Sequence, residues 1–552
     1  MTAASHKRTG AKALVESLEK AGVEVVFGYP GGNVIDIFEH VPEAKFRFVL
    51  GRHEQGSAHM ADGYARATGR TGVCMVTSGP GATNVITALA TANVDSVPMV
   101  VITGQVPLSQ IGTDAFQEAD MTGICRAATK HSFLVKSADE IPETVAQAFY
   151  IASHGKPGPV VIDIPRNCQT DLTSATYPER VSLRAYHPEC SATTREVNRL
   201  AKLLNEAKRP VIYAGGGVIA ADAAGDVTAL AKKAQIPVAT TLMGLGAFDE
   251  ADPLALGMAG MYGTAAANRA IDGCDLLLAL GVRFSDRIVS DMRTYAKSAK
   301  IVHVDCDPAS INKNISVDFG IIADIKDLLT TVSSRVRPGN HDEWLRELAE
   351  IRRRRPIGWK PLHRGVIMPQ QVIEAVGRAT KGDAIVVTDV GQHQMWCAQH
   401  LCHAHPRRFL TSGGMGTMGF GIPAAIGAAI ARPDLKIVAI VGDGGAQMTF
   451  EEMTVAVEEK LPITFVIVNN GCLGMVRQMQ EKEFGRSSCI ALCHPNREYL
   501  PDFRRLAIAH GAAAVRVSDP SKADAVIARA IRARRTTVVE VIVDPKAEVV
   551  QP

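Results

Sequence analysis

The stretch Ile437-Val438-Ala439-Ile440-Val441-Gly442-Asp443-Gly444-Gly445 is a short apolar run that empties into an acidic, glycine-rich turn. Its length and its Ile and Val content suit a strand buried on both faces, as in a parallel sheet covered by helices. The following helix is expected to begin near Thr449. A second run, Ile463 to Val468, ends in Asn469-Asn470-Gly471. A strand, a crossover helix and a parallel strand bring both strand ends to the same edge of one sheet. At that carboxyl edge, backbone N–H groups and helix starts favour phosphate. Asp443 and Asn470 can therefore share one ion, and a carboxylate with an amide oxygen suits Mg²⁺ better than zinc or a softer metal.

Outward from this pair, β-branched runs alternate with helical stretches along the whole chain, the pattern of α/β architecture. The 552 residues exceed one ordinary core and suggest roughly three or four units. Grouping the runs gives three successive doubly wound parallel-sheet domains, 1–180, 190–340 and 366–545. The first has strands at Val23 to Phe27, Arg47 to Leu50, Val73 to Thr77, Met99 to Thr103 and Pro159 to Asp163. The second has them at Pro210 to Ala214, Ile236 to Thr240, Asp275 to Leu280 and Ile301 to Val304, ending in an Ile321 to Asp324 turn. The third adds Ala384 to Thr388, Ala513 to Val517 and Val538 to Val543 to the two runs above. Thr170 to Thr194, polar and without period, reads as a linker. The four arginines Arg352 to Arg355 on a charged helix read as a solvated face.

Hydrophobic residues at 46% and charged residues at 21% exclude a disordered or fibrous chain. A formal net charge of +3 leaves no basic surface for nucleic acid, so small-molecule chemistry is expected. The polar, basic start from Met1 to Gly10 shows no secretory signal or membrane anchor, and a cytoplasmic location is expected. Eleven cysteines without a Cys-x-x-Cys pair read as reduced, mostly buried thiols. Cys489, Cys493 and His494 imitate a metal site, but a closed zinc site needs four ligands.

Two further segments carry chemistry. Arg52-His53-Glu54-Gln55-Gly56 follows a strand end and precedes a helix, Ala58 to Thr68, dense in small residues. A carboxylate buried there needs a polar partner. Ser412-Gly413-Gly414-Met415-Gly416-Thr417-Met418-Gly419 admits close backbone approach to a ligand.

The Gly442-Asp443-Gly444 turn paired with Asn469-Asn470 resembles the diphosphate motif of thiamine-diphosphate enzymes, a fold like that of pyruvate oxidase and decarboxylase. The resemblance implies that the backbone oxygen of Cys472 is the third metal ligand. It implies that Gly391, Gln392, His393, Gly444, Gly445, Gly474 and Met475 contact the cofactor. Glu54 then matches the acid that bonds a ring nitrogen of the aminopyrimidine and promotes its imino tautomer. Gly416 offers a carbonyl to that ring, and Met418 holds the cofactor bent. The first block becomes the pyrimidine-binding domain and the third the diphosphate-binding domain.

Over nearly its whole length the chain resembles the catalytic subunits of acetohydroxyacid synthase, also called acetolactate synthase. The matching segments include Phe27-Gly28-Tyr29-Pro30-Gly31-Gly32, Thr77 to Asn84, Asp114-Ala115-Phe116-Gln117-Glu118, Lys130-His131-Ser132-Phe133 and Gly391 to Trp396. Such enzymes decarboxylate pyruvate and join the two-carbon unit to a second 2-oxo acid. Gly32, Gln117 and Lys130 match residues lining the reaction site, and Phe116 a substrate-pocket aromatic. The middle block resembles their FAD site at Gly215-Gly216-Gly217, Thr241-Leu242-Met243, Gly281, Arg283, Asp305 and Asp324, with Arg126 from the first block. The flavin there has no redox duty in the main reaction. Arg287 matches the residue that selects the second substrate through its carboxylate, with Met261 and Met479 in the same pocket. The resemblance also implies a homo-oligomer with active sites at the dimer interface, and a regulatory small subunit.

Departures from the family pattern sharpen the expectations. Met479 stands where the family has Trp, which predicts a weakened preference for 2-oxobutyrate and poor sulfonylurea inhibition. Tyr262, Ser285 and Asn33 replace a His, an Asp and a small residue near the flavin and acceptor positions. Relatives continue past Val550-Gln551-Pro552 into a covering tail, so a less sealed site is expected. Two other readings fit the same residues: a specialised thiamine carboligase or decarboxylase with another acceptor, and a catalytically weak paralogue acting as a partner subunit. A flavin-dependent oxidase fits Gln117 and Lys130 less well.

Overall fold

The computed structural model describes residues 7–289, 295–492 and 501–551. They build three six-stranded sheets and a small antiparallel pair, Arg8–Thr9 with Leu172–Thr173. In the first sheet the order is Arg47–Leu50, Val25–Tyr29, Gly72–Val76, Met99–Gln105, Pro159–Pro165 and His131–Leu134. In the third it is Phe409–Leu410, Ile385–Thr388, Ile437–Gly442, Ile463–Asn469, Thr537–Ile542 and Ala513–Val517. All neighbours in both are parallel. The two sheets therefore share one topology: the first strand is joined by the second on one side and by the third on the other. Chain direction across the sheet reverses between Val25–Tyr29 and Gly72–Val76, and again between Ile385–Thr388 and Ile437–Gly442. Such reversal points open a crevice at the carboxyl ends of the strands.

The central sheet has the order Ala255–Met258, Val238–Thr240, Pro210–Ala214, Leu276–Leu280, Lys300–Asp305 and Phe319–Ile322, again all parallel. Its reversal lies between Pro210–Ala214 and Leu276–Leu280, whose ends carry Gly215 and Gly281. The expected three-layer α/β reading is borne out three times over. The run expected to end as a turn at Ile321 to Asp324 is instead the edge strand Phe319–Ile322, followed by the helix Ile325–Ser333 that Asp324 caps. The helix expected near Thr449 begins at Asp443 and runs to Met448. An acidic residue in a first helical turn faces the positive end of the helix dipole, which favours this early start.

Helix Glu54–Thr68 starts where the His53 side chain accepts from the Gln55 N–H at 3.1 Å, and it ends at Gly69 in a left-handed conformation. It lies against helix Gly421–Ala431 of the third block. Small residues let the two backbones approach, with Gly63 over Ala424 and Gly427 over Met60. One buried cluster accordingly runs from Phe27, Val49 and Val101 in the first sheet to Val387, Val441 and Phe465 in the third. The central sheet keeps clusters of its own around Leu230 and Leu278, and around Tyr213 and Trp344. Among the described residues no helix is long and apolar enough to cross a membrane. Six of the ten described cysteines are buried. Cys489 is exposed, while Cys493 and His494 lie outside the described residues.

Candidate active site

At the reversal point of the third sheet the strand ends converge. Asp443 is buried, and its carboxylate accepts from the Gly444 N–H at 3.0 Å and from the Gly471 N–H at 2.6 Å. The turns after the two expected strands are thus tied together. Asn470 Oδ1 accepts from the Cys472 N–H at 3.0 Å, and the segment after Cys472 is pinned by Leu473 N–H to Ile490 O at 2.9 Å. Gly474 opens helix Gly474–Phe484 in contact with both neighbours: a Cβ there would stand 2.6 Å from Asn470 Nδ2 and closer still to Gln392 Oε1. Only glycine lets this helix start come so near the clamp.

His393 fills the other side of the crevice, its ring against Gly391 and Gly442. Burial pushes its pKa down to about 4. Its Nε2, like Gln392 Oε1, is buried without a hydrogen-bond partner among the described residues. Asp389, the residue after the strand Ile385–Thr388, organises the crevice floor. Its carboxylate accepts from Val390, Gly419 and Gly421 N–H groups at 2.8 to 3.1 Å and fixes the turn that carries Met418. Burial lifts its pKa to about 6. Met418 in turn packs on Gly444.

The first sheet places Glu54 at the opening of helix Glu54–Thr68, half-buried. The polar partner its burial calls for is Asn84, whose Nδ2 donates to Glu54 Oε2 at 3.0 Å. A second carboxylate, Glu452 of the third block, accepts from the Arg52 N–H at 3.0 Å and the His53 N–H at 2.9 Å, just ahead of Glu54. Burial raises Glu452 to about 7. Neither partner is legible in the sequence: Asn84 ends the segment Thr77 to Asn84, and nothing in that segment pairs it with Glu54. Gly32 opens an exposed turn, and Asn33 donates to Ser78 Oγ at 2.6 Å. Gln117 has a positive φ of 60° and packs on Gly79, while Phe116 is 87% exposed.

A cavity of about 1220 Å³ runs along the reversal point of the central sheet. Gly216, Gly217, Thr241, Leu242 and Met243 line it, as do Gly281, Arg283, Asp305 and Asp324. Gly215 lies just behind, packed on the Gly281 carbonyl. The same cavity continues to Met261, Arg287 and Met479, and to Gly416 and Met475 of the third block. The Tyr262 hydroxyl reaches Met475 Sδ at 3.6 Å, and Arg287 Nη1 lies 3.9 Å from Met261 Sδ. The residues expected at the acceptor pocket and those expected at the flavin therefore share one space.

Five of the eight expected catalytic and substrate residues, Gly32, Glu54, Phe116, Gln117 and Lys130, are absent from its walls, and so are Asp443, Asn470, Cys472 and His393 of the clamp. Lys130 donates to the carbonyls of Ile151 and His154 and lies over the Tyr186 ring, 5.1 Å from its centre. Burial lowers its pKa to about 8. Arg126 is exposed at the end of the short helix Met121–Cys125, also off the cavity.

Among the described residues no three His, Cys, Asp or Glu side chains converge as a metal site. A clamp of one carboxylate, one amide oxygen and one backbone carbonyl is compatible with that and suits a hard cation. The unpartnered His393 Nε2, the glycine-lined helix start and the Asp443 turn fit a diphosphate. The central cavity fits a dinucleotide: glycine turns at adjacent strand ends, with Asp305 and Asp324 as acceptors for ribose hydroxyls.

Residues 8–124 match the N-terminal thiamine pyrophosphate binding domain of thiamine pyrophosphate enzymes, 197–332 their central domain and 389–541 their C-terminal thiamine pyrophosphate binding domain. The chain is 45% identical to the acetolactate synthase large subunit of Corynebacterium glutamicum, over 99% of this chain and 89% of the relative. It is 43% identical to the isozyme 3 large subunit of Escherichia coli, over 97% and 95%, and 42% identical to the Haemophilus influenzae large subunit, over 98% and 96%.

Proposed function

The chain belongs to the acetolactate synthase large-subunit family of thiamine-diphosphate enzymes, and from that premise we propose that it condenses two molecules of pyruvate, with loss of CO₂, to 2-acetolactate. The observation that carries this reading is the tie between the Asp443 turn and Gly471, facing His393, whose Nε2 has no hydrogen-bond partner among the described residues, across the reversal point of the third sheet. Thiamine diphosphate, when bound, supplies the electron sink that a 2-oxo acid needs to lose CO₂.

The residues of this chain do the rest. Asp443, Asn470 and the Cys472 carbonyl would hold Mg²⁺ against the diphosphate, and the start of helix Gly474–Phe484 would face its oxygens. A bound anion favours the charged imidazolium, so His393 would regain the proton that burial removes. Glu54, with its Oε2 held by the Asn84 amide, would present Oε1 to the aminopyrimidine ring and hand a proton to it there. Gln117 and Gly32 would offer hydrogen bonds where negative charge develops on the substrate. Arg287, beside Met261 and Met479 in the central cavity, would bind the acceptor carboxylate by a charge-assisted bond. FAD would lie along Gly215–Gly217, Gly281 and Arg283.

Glu54 and Gln117 lie off the cavity that holds Arg287 and Gly416. The reading includes a homodimer or larger homo-oligomer, in which the first block of one protomer completes the site of its partner. The exposed Phe116 supports the same arrangement. The reading further includes a regulatory small subunit and a cytoplasmic setting, as in branched-chain amino-acid biosynthesis.

Mass spectrometry of the products from pyruvate, with and without 2-oxobutyrate and with thiamine diphosphate, Mg²⁺ and FAD present, tests the reading. 2-Acetolactate is the expected product of pyruvate alone. Acetaldehyde would make the chain a decarboxylase, and no turnover would make it a partner subunit.

A further inference from the structure

The glycine-rich segment 412–419 is not held by its own block alone. Asp95, at the end of helix Ile86–Asp95 in the first block, has a fully buried side chain. Its carboxylate accepts from the Gly413 N–H at 3.1 Å and the Gly414 N–H at 2.8 Å. It also pairs with Arg66 Nη2 at 3.0 Å, and Arg66 is itself held by Asp62 and by the Thr411 carbonyl at 2.8 Å. Arg283 of the central block completes the set. Its Nη2 lies 3.8 Å from Asp95 Oδ1, its Nη1 donates to the Val94 carbonyl, and its side chain, 39% exposed, lines the central cavity.

One carboxylate thus touches all three blocks. The contact is close on every side: a Cβ on Gly414 would stand 2.7 Å from both Asp95 Oδ1 and Arg283 Nη2. Beside it, Met243 of the cavity wall packs directly on Gly413. Two residues further on, Gly416 is in the left-handed region at φ 68° and belongs to the proposed thiamine site.

We infer that Asp95 is the positioning residue through which occupancy of the central cavity orders segment 412–419, so that a flavin dinucleotide and thiamine diphosphate bind this chain cooperatively. The inference rests on the flavin and thiamine assignments proposed above. A ligand filling the cavity removes water from around Arg283 and confines it against Asp95, where a lower local dielectric strengthens the ion pair. The segment that pair holds is then already ordered when the second ligand arrives, and the second ligand loses less conformational freedom on binding. A flavin without a redox step would act here as a brace for the other cofactor's seat.

Linkage makes the test reciprocal: each ligand must tighten the other by the same factor. Kd for thiamine diphosphate, at saturating Mg²⁺, is measured by titration calorimetry on the full-length protein with and without saturating FAD. Kd for FAD is measured by flavin fluorescence with and without thiamine diphosphate. The expected factor is about 5- to 20-fold in both directions, in the usual range of site-to-site coupling. Asp95→Asn should bring the factor to within about twofold of one while both ligands still bind. Should that variant fail to fold, Gly414→Ala, which presses a methyl group between Asp95 and Arg283, should lower the factor in the same way. Independent binding in the parent protein, or a factor unchanged in the folded variants, overturns the joint and leaves the cofactor assignments standing. Failure of FAD to bind the parent protein overturns the flavin assignment and the joint with it.

Discussion

The first and third sheets have the same strand order and the same reversal point, and their carboxyl edges have opposite chemistry. At the third, Asp443, Asn470, His393 and the start of helix Gly474–Phe484 surround a crevice fit for an anion and its cation. At the first, the corresponding edge carries Glu54, tied to Asn84, at the start of a helix dense in small residues. Topology decides where a ligand can sit, and a few residues after the strands decide which end of it. If the two edges serve one cofactor, damage to them should separate: the third edge should govern binding and the first turnover.

The sharpest way to break that comparison is Glu54→Gln. It keeps the size and the Asn84 contact but loses the acid, so kcat should fall by about 10³-fold, within the range for losing a positioned acid or base. Kd for thiamine diphosphate should stay within about threefold of the parent value; a large loss of affinity would show that both edges merely bind. Asp443→Asn should do the reverse, weakening thiamine diphosphate binding by about 100-fold at fixed Mg²⁺, roughly 3 kcal/mol. Higher Mg²⁺ should restore part of it.

Smaller effects sharpen the picture further. Met479→Trp places a rigid face beside Arg287 in the acceptor pocket and should raise the preference for 2-oxobutyrate over pyruvate by about tenfold in competition assays, the scale set by one apolar contact. Sulfonylurea inhibition should strengthen in the same variant. The smallest effect concerns Glu452, which joins the third block to the N–H groups ahead of Glu54. Its folded pKa, about 7, lies above its ordinary 4.5. The stability it contributes is therefore full below pH 4.5 and is lost as pH rises through 7. Tm should fall between pH 5 and 8, and Glu452→Gln should flatten that fall by about 2–4 °C. Asp163 and Glu250, also raised to about 7 by burial, act in the same direction in both proteins and cancel in the comparison.

The central strands were legible because each is a buried β-branched run ending in a glycine turn: Ile437–Gly442, Ile463–Asn469 and Pro210–Ala214 lie within a residue or so of their expected bounds. His131–Leu134, Ala255–Met258 and Phe409–Leu410 were not, being short and at sheet edges or next to them, where no long apolar run is required. The Asp443 and Asn470 turns were readable from spacing. Asp389, Glu452 and Asp95 were not, because each is satisfied by backbone N–H groups distant in sequence, and a backbone donor leaves no mark on residue choice. Lys130 shows the converse. Its quoted segment matches the family, yet its ammonium is taken up by two carbonyls, which no motif could reveal.

The core shared by helices Glu54–Thr68 and Gly421–Ala431 has a consequence for modularity. The outer two blocks, although far apart along the chain, should melt together, and the central block, with clusters of its own, is the unit that could loosen separately. A chain cut within 174–192 would leave the first block with a raw apolar face where Phe420 and Ala424 had been, whereas replacement of the central block by another of similar span would leave that face covered. Recombination among relatives should therefore exchange the middle of this protein far more readily than either end.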